Sequence, residues 1–280
     1  MSQNQNPESC NHNCEGCSAD CGQRQGPNSF RIEPSPRSSI KKIIGVVSGK
    51  GGVGKSFVTS VLASEMQRRG YRAAVLDGDI TGPSMGKAFG INEKATSDRQ
   101  LIYPYVTENG MQIITANMLL DRDDQPIIWR GPMVAGILKQ FYQEVFWDDV
   151  DFMFIDMPPG TSDVPLTMFQ SIPLDGIIVV TSPQDLVSMV VEKAVNMAKM
   201  MNINVLGLVE NMSYVECDKC GEKMYVFGKS HITEVSEKTG LPVLAQVPLR
   251  SAHAEASDNG TIEDLEVPEL KEAADLIEKL

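Results

Sequence analysis

The octapeptide Gly49-Lys50-Gly51-Gly52-Val53-Gly54-Lys55-Ser56 constrains this chain more than any other stretch, because it satisfies G-x-x-x-x-G-K-S and carries an additional lysine at its second position. An apolar run at 43–47 precedes it, and Val58, Val61, Leu62 and Met66 follow at helical spacing, which is the strand-loop-helix context a phosphate-binding loop needs. Glycines let successive backbone N–H groups wrap a phosphate chain at a helix N-terminus, where the helix dipole favours anions. In such a loop Lys55 reaches the β and γ phosphates, and the Ser56 hydroxyl ligates Mg²⁺. Residues 49–56 are therefore read as the binding loop for a nucleoside triphosphate. A glycine-rich turn with chance lysines is the alternative, and the flanking pattern speaks against it.

Two acidic strand ends extend the site. After the apolar run 73–76 comes Asp77-Gly78-Asp79-Ile80-Thr81-Gly82-Pro83-Ser84, and after 152–155 comes Asp156-Met157-Pro158-Pro159-Gly160-Thr161-Ser162-Asp163. Open α/β sheets bind ligands at the C-terminal ends of their strands. Asp156 is expected in the Mg²⁺ shell, and the Gly160 N–H is expected to follow the γ phosphate. Either stretch alone could be an ordinary turn, since Asp, Gly and Pro favour turns for local reasons; three motifs in this order argue for phosphoryl transfer.

Further apolar runs at 177–180, 203–209 and 243–247 alternate with helical patterns near 56–69, 132–146, 185–200 and 229–238. Runs that are continuous rather than alternating imply a parallel sheet buried on both faces, hence an α/β doubly wound fold. Segments 101–106 and 111–115, split by Asn109-Gly110, predict an antiparallel hairpin. Residues 1–38, polar and interrupted by Pro27, Pro34 and Pro36, read as a tail and linker, with one folded domain over 39–280.

The phosphate loop with its extra lysine and the two acidic motifs resemble the deviant-Walker ATPase class that includes MinD, ParA and the nitrogenase iron protein. Within that class, Glu210-Asn211-Met212-Ser213 followed by Cys217-Asp218-Lys219-Cys220 resembles the Mrp family of iron-sulfur cluster carrier ATPases, over residues 38–280. That resemblance implies a homodimer in which Lys50 crosses to the partner's nucleotide, Asp79 positions or activates the attacking water, Asn211 reads adenine, and Pro248 lies beside the base. It also implies a labile [4Fe–4S] cluster bridging two subunits, delivered to apo-proteins in concert with assembly scaffolds, with ATP as a slowly hydrolysed clamp.

Six cysteines occur, at 10, 14, 17, 21, 217 and 220. A chain of 280 residues without an apolar stretch of signal-peptide type at its start points to a reducing cytoplasm, where thiols are free to ligate metal. Cys217 and Cys220 supply two thiolates, whereas a tetrahedral four-sulfur site or a [4Fe–4S] cluster wants four. A two-fold dimer supplies the pair twice. Zn²⁺ in half a zinc ribbon or a redox dithiol would use the same residues. Cys10, Cys14, Cys17 and Cys21, with His12 among them, place four thiols in polar sequence that cannot build a core. They are expected to hold a metal within one chain, the alternative being a redox-sensitive tail.

Charge narrows the partners. With 25 basic and 37 acidic residues the formal net charge is −12, which opposes phosphate-driven binding of nucleic acid. No run approaches the ~20 apolar residues needed to span a bilayer. The C-terminal segment 268–280 has Leu270, Ala273, Ala274 and Ile277 at helical spacing but acidic charges, unlike a membrane-targeting helix, and is expected to dock on the body. The features of a ParA or MinD positioning ATPase, a basic DNA surface or a basic amphipathic terminus, are absent. Electron transfer of the nitrogenase iron protein kind ranks lower, because there the two ligands come from separate loops.

Overall fold

Strands that are apolar on both faces need cover on both faces, and the architecture follows from that. The computed structural model describes residues 30–80, 82, 84–98, 100–119, 131–161, 163–183, 187–217 and 219–280. Arg31–Leu280 form one compact unit. In chain order its elements are β1 (Ile40–Ser48), α1 (Lys55–Arg68), β2 (Ala73–Asp77), α2 (Met85–Ala88), β3 (Thr96–Ser97), β4 (Ile102–Tyr103), β5 (Tyr105–Val106), β6 (Gln112–Ile114), α3 (Gly131–Glu144), β7 (Val150–Asp156), α4 (Asp163–Ser171), β8 (Gly176–Thr181), α5 (Val187–Met200), β9 (Val205–Glu210), β10 (Val215–Glu216), β11 (Lys223–Met224), α6 (Ile232–Thr239), β12 (Val243–Gln246), α7 (Ser251–Asn259) and α8 (Lys271–Ile277).

The main sheet runs β12-β9-β8-β1-β7-β2-β6-β5. Every neighbouring pair is parallel except β5 with β6. That exception is the hairpin expected from Asn109-Gly110, but shorter than 101–106 with 111–115, because Ile102–Tyr103 pairs with β3 in a separate two-stranded sheet: Thr107 N–H donates to Met111 O at 2.9 Å, and Gly110 takes φ +92°. Alternate residues of β1 serve opposite faces. Ile44 and Val46 pack with Val58, Leu62 and Met66 of α1, and Ile43 and Val47 with Leu138, Phe141 and Val191 of α3 and α5. Leu270, Ala273, Ala274 and Ile277 are buried in the α1 layer, so the C-terminal helix docks on the body as expected. Met111 and Met118 are core residues, whereas Met200 is 81 % exposed.

Helices α2, α4 and α7 lie outside the helical patterns expected from periodicity. In α4, Pro165 occupies the first turn of a nine-residue helix whose inward face is the short stripe Pro165, Met168 and Phe169, and α7 buries only His253 and Ala256. The stretch ahead of β1 is tied down: Ile32 N–H donates to Ser171 O at 2.9 Å, and Ser38 Oγ donates to Val145 O at 3.1 Å. Among the described residues no helix is long and apolar enough to cross a membrane.

Candidate nucleotide site and cysteine hairpin

Parallel packing brings the C-terminal ends of β1, β7, β2, β8 and β9 to one edge, and the sequence motifs fall there. The loop after β1 enters α1 through Gly54, at φ +77°, with no side-chain cap on the first turn. Gly52 also has positive φ, +78°, a conformation in which a Cβ is strained. Around Gly51 and Gly52 no heavy atom lies within 4 Å of where a Cβ would stand, and both are exposed, so the loop backbone is open to close approach by a phosphate. Gly49, Lys50, Gly54 and Ser56 are half-buried, whereas Val53 and Lys55 are buried. Lys50 holds its place in the loop through its carbonyl, which accepts from Ser48 Oγ at 3.0 Å.

Asp156 is the electrostatic centre. Its side chain is fully buried, and Oδ1 accepts from Lys55 Nζ at 2.5 Å and from Thr59 Oγ1 at 3.2 Å, while Oδ2 accepts from Ser56 Oγ at 2.5 Å. Thr59 follows Lys55 by one helical turn, and its hydroxyl also donates to Lys55 O at 2.9 Å. A buried carboxylate is tolerable only when its charge is compensated and its lone pairs are used. Ser56 and Asp156 converge as hydroxyl and carboxylate, the hard oxygen donors that Mg²⁺ prefers.

Asp77 stands opposite Asp156 in the β2–β7 register, and it is the carboxylate that the sequence motif did not single out. Gly78 N–H donates to Asp156 O at 2.8 Å, and a Cβ at Gly78 would come within 2.6 Å of that oxygen, so the two strand ends meet closely. Burial, reinforced by the charge of Asp156, pushes the Asp77 carboxyl up to about 7, against the lowering pull of Lys55 and of hydrogen bonds from Thr115 and the Asp79 backbone. Those bonds run from Thr115 Oγ1 to Oδ2 at 3.0 Å and from Asp79 N–H to Oδ1 at 3.1 Å. Asp79 itself is half-buried at the rim, two residues past the strand end. Gly160, at φ +90°, donates its N–H to Ser48 O at 2.8 Å, which ties the loop after β7 to the base of the phosphate loop.

Asn211 follows β9 and is buried against the loop. Its Nδ2 donates to Val53 O at 3.1 Å, and a Cβ on Gly54 would collide with the same amide nitrogen. Pro248 is brought beside it by Val247 N–H, which donates to Glu210 O at 2.8 Å, and by Ser213 N–H, which donates to Val247 O at 2.9 Å. The structure thus gathers Lys50, Lys55, Ser56, Asp79, Asp156, Gly160, Asn211 and Pro248 along one sheet edge.

The cysteines lie on a hairpin of their own. β10 and β11 pair antiparallel, with Cys217 and Cys220 in the turn. Cys217 N–H donates to Glu222 O at 3.0 Å, Gly221 N–H donates to Cys217 O at 2.8 Å, and Gly221 takes φ +71°. Both thiols are free of disulfides, Cys217 half-buried and Cys220 exposed. Met224, Tyr225, Val226 and Phe227 beside them are exposed hydrophobics. Among the described residues no group of three or more His, Cys, Asp or Glu gathers to hold a metal. Cys10, Cys14, Cys17 and Cys21 lie outside the described residues.

Comparison with known proteins places this geometry. The iron-sulfur cluster carrier protein of Clostridium perfringens is 46% identical over 257 residues, covering 89% of this chain and 87% of its own. A nucleotide-binding protein from Archaeoglobus fulgidus, solved in complex with ADP, superposes with TM-score 0.73 at 36% identity, over 83% of this chain and 91% of that one. The cell division ATPase MinD of Pyrococcus furiosus, 21% identical, shares the fold at TM-score 0.59 over 85% of this chain and 98% of its own. The family described as NUBPL iron-transfer P-loop NTPase, within the ParA group, matches residues 39–280, and the chain belongs to it.

Proposed function

We propose that this chain binds and slowly hydrolyses ATP and, as a cytoplasmic homodimer, carries a [4Fe–4S] cluster on Cys217 and Cys220 of two copies, passing it from assembly scaffolds to apo-proteins. The observation that carries the reading is the cysteine hairpin: two thiols, one of them exposed, in the turn of a segment that begins against the phosphate loop at Asn211. A dimer axis through that hairpin completes a four-thiolate set, and a cluster shared between two chains at an exposed turn is held loosely enough to leave. The exposed Met224, Tyr225, Val226 and Phe227 give a second copy an apolar surface to cover. At the nucleotide, Lys55 exchanges Asp156 for the β and γ phosphates and Asp79 orients water; Ser56 and Asp156 would hold Mg²⁺, which would supply charge neutralisation at the phosphates. Lys50 reaches the partner's nucleotide, and Asn211 and Pro248 flank adenine. The N-terminal cysteines form a separate metal site within each chain.

Anaerobic reconstitution of two variants tests this. Cys10/Cys14/Cys17/Cys21→Ser should keep one cluster per dimer, transferable to an apo-acceptor. Cys217/Cys220→Ser should still bind ATP but lose the transferable cluster. Unchanged transfer by the second variant refutes the carrier role of the hairpin, and zinc alone in freshly isolated anaerobic protein would make it a structural metal site.

A further inference from the structure

Glu210 closes β9 with 1 % exposure, and no role at the nucleotide or the thiols falls to it. Its carboxylate collects side-chain donors from three separate segments. Ser213 Oγ donates to Oε2 at 2.6 Å, Gln246 Nε2 donates to the same oxygen at 3.0 Å, and Ser230 Oγ donates to Oε1 at 2.8 Å. Ser213 lies on the leg that enters the cysteine hairpin, Ser230 on the leg that leaves it towards α6, and Gln246 on β12. One residue further on, Asn211 grips Val53 O of the phosphate loop. Met212 then takes φ +55°, and its Cε lies 3.5 Å from where a Gly54 Cβ would stand. A carboxylate that holds both legs of the hairpin and an amide that holds the phosphate loop therefore sit on consecutive residues.

We propose that Glu210 is the positioning residue that couples the phosphate loop to the geometry of Cys217 and Cys220. The inference rests on the carrier reading and adds the path by which nucleotide reaches the thiols. A shift of the loop on phosphate binding displaces Asn211 through its bond to Val53. Glu210 moves with it on the same backbone, and hydrogen bonds to a carboxylate are strong enough to bring Ser213 and Ser230 along together. Both legs then move as one, changing how far the turn presents its thiols. A staple that only kept the hairpin folded would affect metal binding equally with and without nucleotide. A coupler changes the ratio between the two conditions.

The test uses the full chain carrying Cys10/Cys14/Cys17/Cys21→Ser, so that thiolate-to-cobalt absorption reports Cys217 and Cys220 alone. Co²⁺ is titrated anaerobically, with and without a non-hydrolysable ATP analogue and Mg²⁺. In this parent the nucleotide should shift apparent Co²⁺ affinity about five-fold or more, a typical allosteric coupling. Glu210→Gln turns a donor towards the serine hydroxyls, and Ser230→Ala removes one leg. Each should reduce the ratio below about two-fold while ATP affinity stays within about three-fold of the parent. A folded, ATP-binding Glu210→Gln or Ser230→Ala protein with the parent's ratio overturns the inference, and Ser230→Ala decides alone if Glu210→Gln does not fold. A parent without nucleotide dependence overturns it too, whereas the carrier reading is decided independently by cluster transfer.

Discussion

The Asn211 side chain donates to the Val53 carbonyl at 3.1 Å, which joins the end of β9 to the loop that follows β1 across the intervening strand β8. The contact is possible because residue 54 is glycine: a Cβ there would collide with the same amide nitrogen, and φ is +77°.

Gly54→Ala should therefore lose nucleotide binding and destabilise the fold through two effects, a strained backbone and a steric clash, together about 2–4 kcal/mol. Asn211→Ala alone leaves Val53 O without its side-chain partner and should cost about 1–3 kcal/mol. In the double variant the clash is gone while the backbone strain remains. Chemical denaturation of all four proteins should show the double variant less destabilised than the sum of the singles by about 1 kcal/mol or more. Strict additivity would mean that the two residues do not meet as described.

Lys55 and Asp156 form a buried ion pair, so Lys55→Ala should do more than weaken phosphate binding. In magnesium-free, nucleotide-free buffer it leaves Asp156 without its counter-charge, at a cost of about 3 kcal/mol. Lys55→Ala/Asp156→Asn should regain most of that stability, because no charge is left buried and the amide can accept from Thr59 through its oxygen while its nitrogen donates to the Ser56 hydroxyl. ATP binding, followed by calorimetry, should stay lost in both. Recovery of ATP affinity in the double variant would show that Lys55 serves the fold rather than the phosphates.

Asp77 carries a pH signature. Its folded carboxyl is raised to about 7 from an ordinary carboxylate value, so the native state prefers it protonated. Stability from this group is fully present below the unfolded pKa and is lost as pH rises through the folded one. Asp77→Asn should consequently melt above wild type by a few degrees at pH 8, with the gain shrinking steadily as pH falls from 7 towards 4. Its amide can keep two contacts, accepting from Asp79 N–H and donating to Thr115 Oγ1, and gives up the 3.4 Å bond that Met85 N–H donates to Oδ2. Melting curves of metal-free protein across that range decide it: a gain independent of pH would point to packing rather than charge.

Much of this site was legible because phosphate chemistry imposes local spacing. Residues 49–56 are contiguous, and the acids at 77, 79 and 156 mark strand ends by following apolar runs. The parallel sheet was legible in those runs too, and its hairpin edge in Asn109-Gly110. What joins the parts was not. Thr59 could have been found one turn after Lys55, but its bond to Asp156 spans 97 residues of chain, and Thr115 reaches Asp77 across 38. The Glu210 cluster draws on Ser213, Ser230 and Gln246, separated by loops whose return path no periodicity encodes. Helix α7 stayed hidden because only His253 and Ala256 face inward.

Asp79 and Lys50 are separable from nucleotide affinity and from each other. Asp79 lies at the rim, two residues beyond the buried end of β2, where a carboxylate can orient water without holding phosphate. Asp79→Ala should keep ATP affinity within about three-fold while turnover falls about 10²-fold or more, since a water-positioning group acts mainly on the transition state. Lys50→Ala should also hydrolyse poorly, and its defect should be complemented between chains. If each nucleotide takes Lys55 from its own chain and Lys50 from the partner, a Lys50→Ala chain paired with a Lys55→Ala chain rebuilds one complete site of two. Random pairing of equal amounts makes about half the dimers mixed, so turnover should recover to about a quarter of wild type. The two proteins are mixed, reconstituted together and assayed for phosphate release, with each alone as control. No recovery above those controls would place Lys50 on its own chain's nucleotide, and wild-type turnover by Lys50→Ala alone would remove it from the reaction.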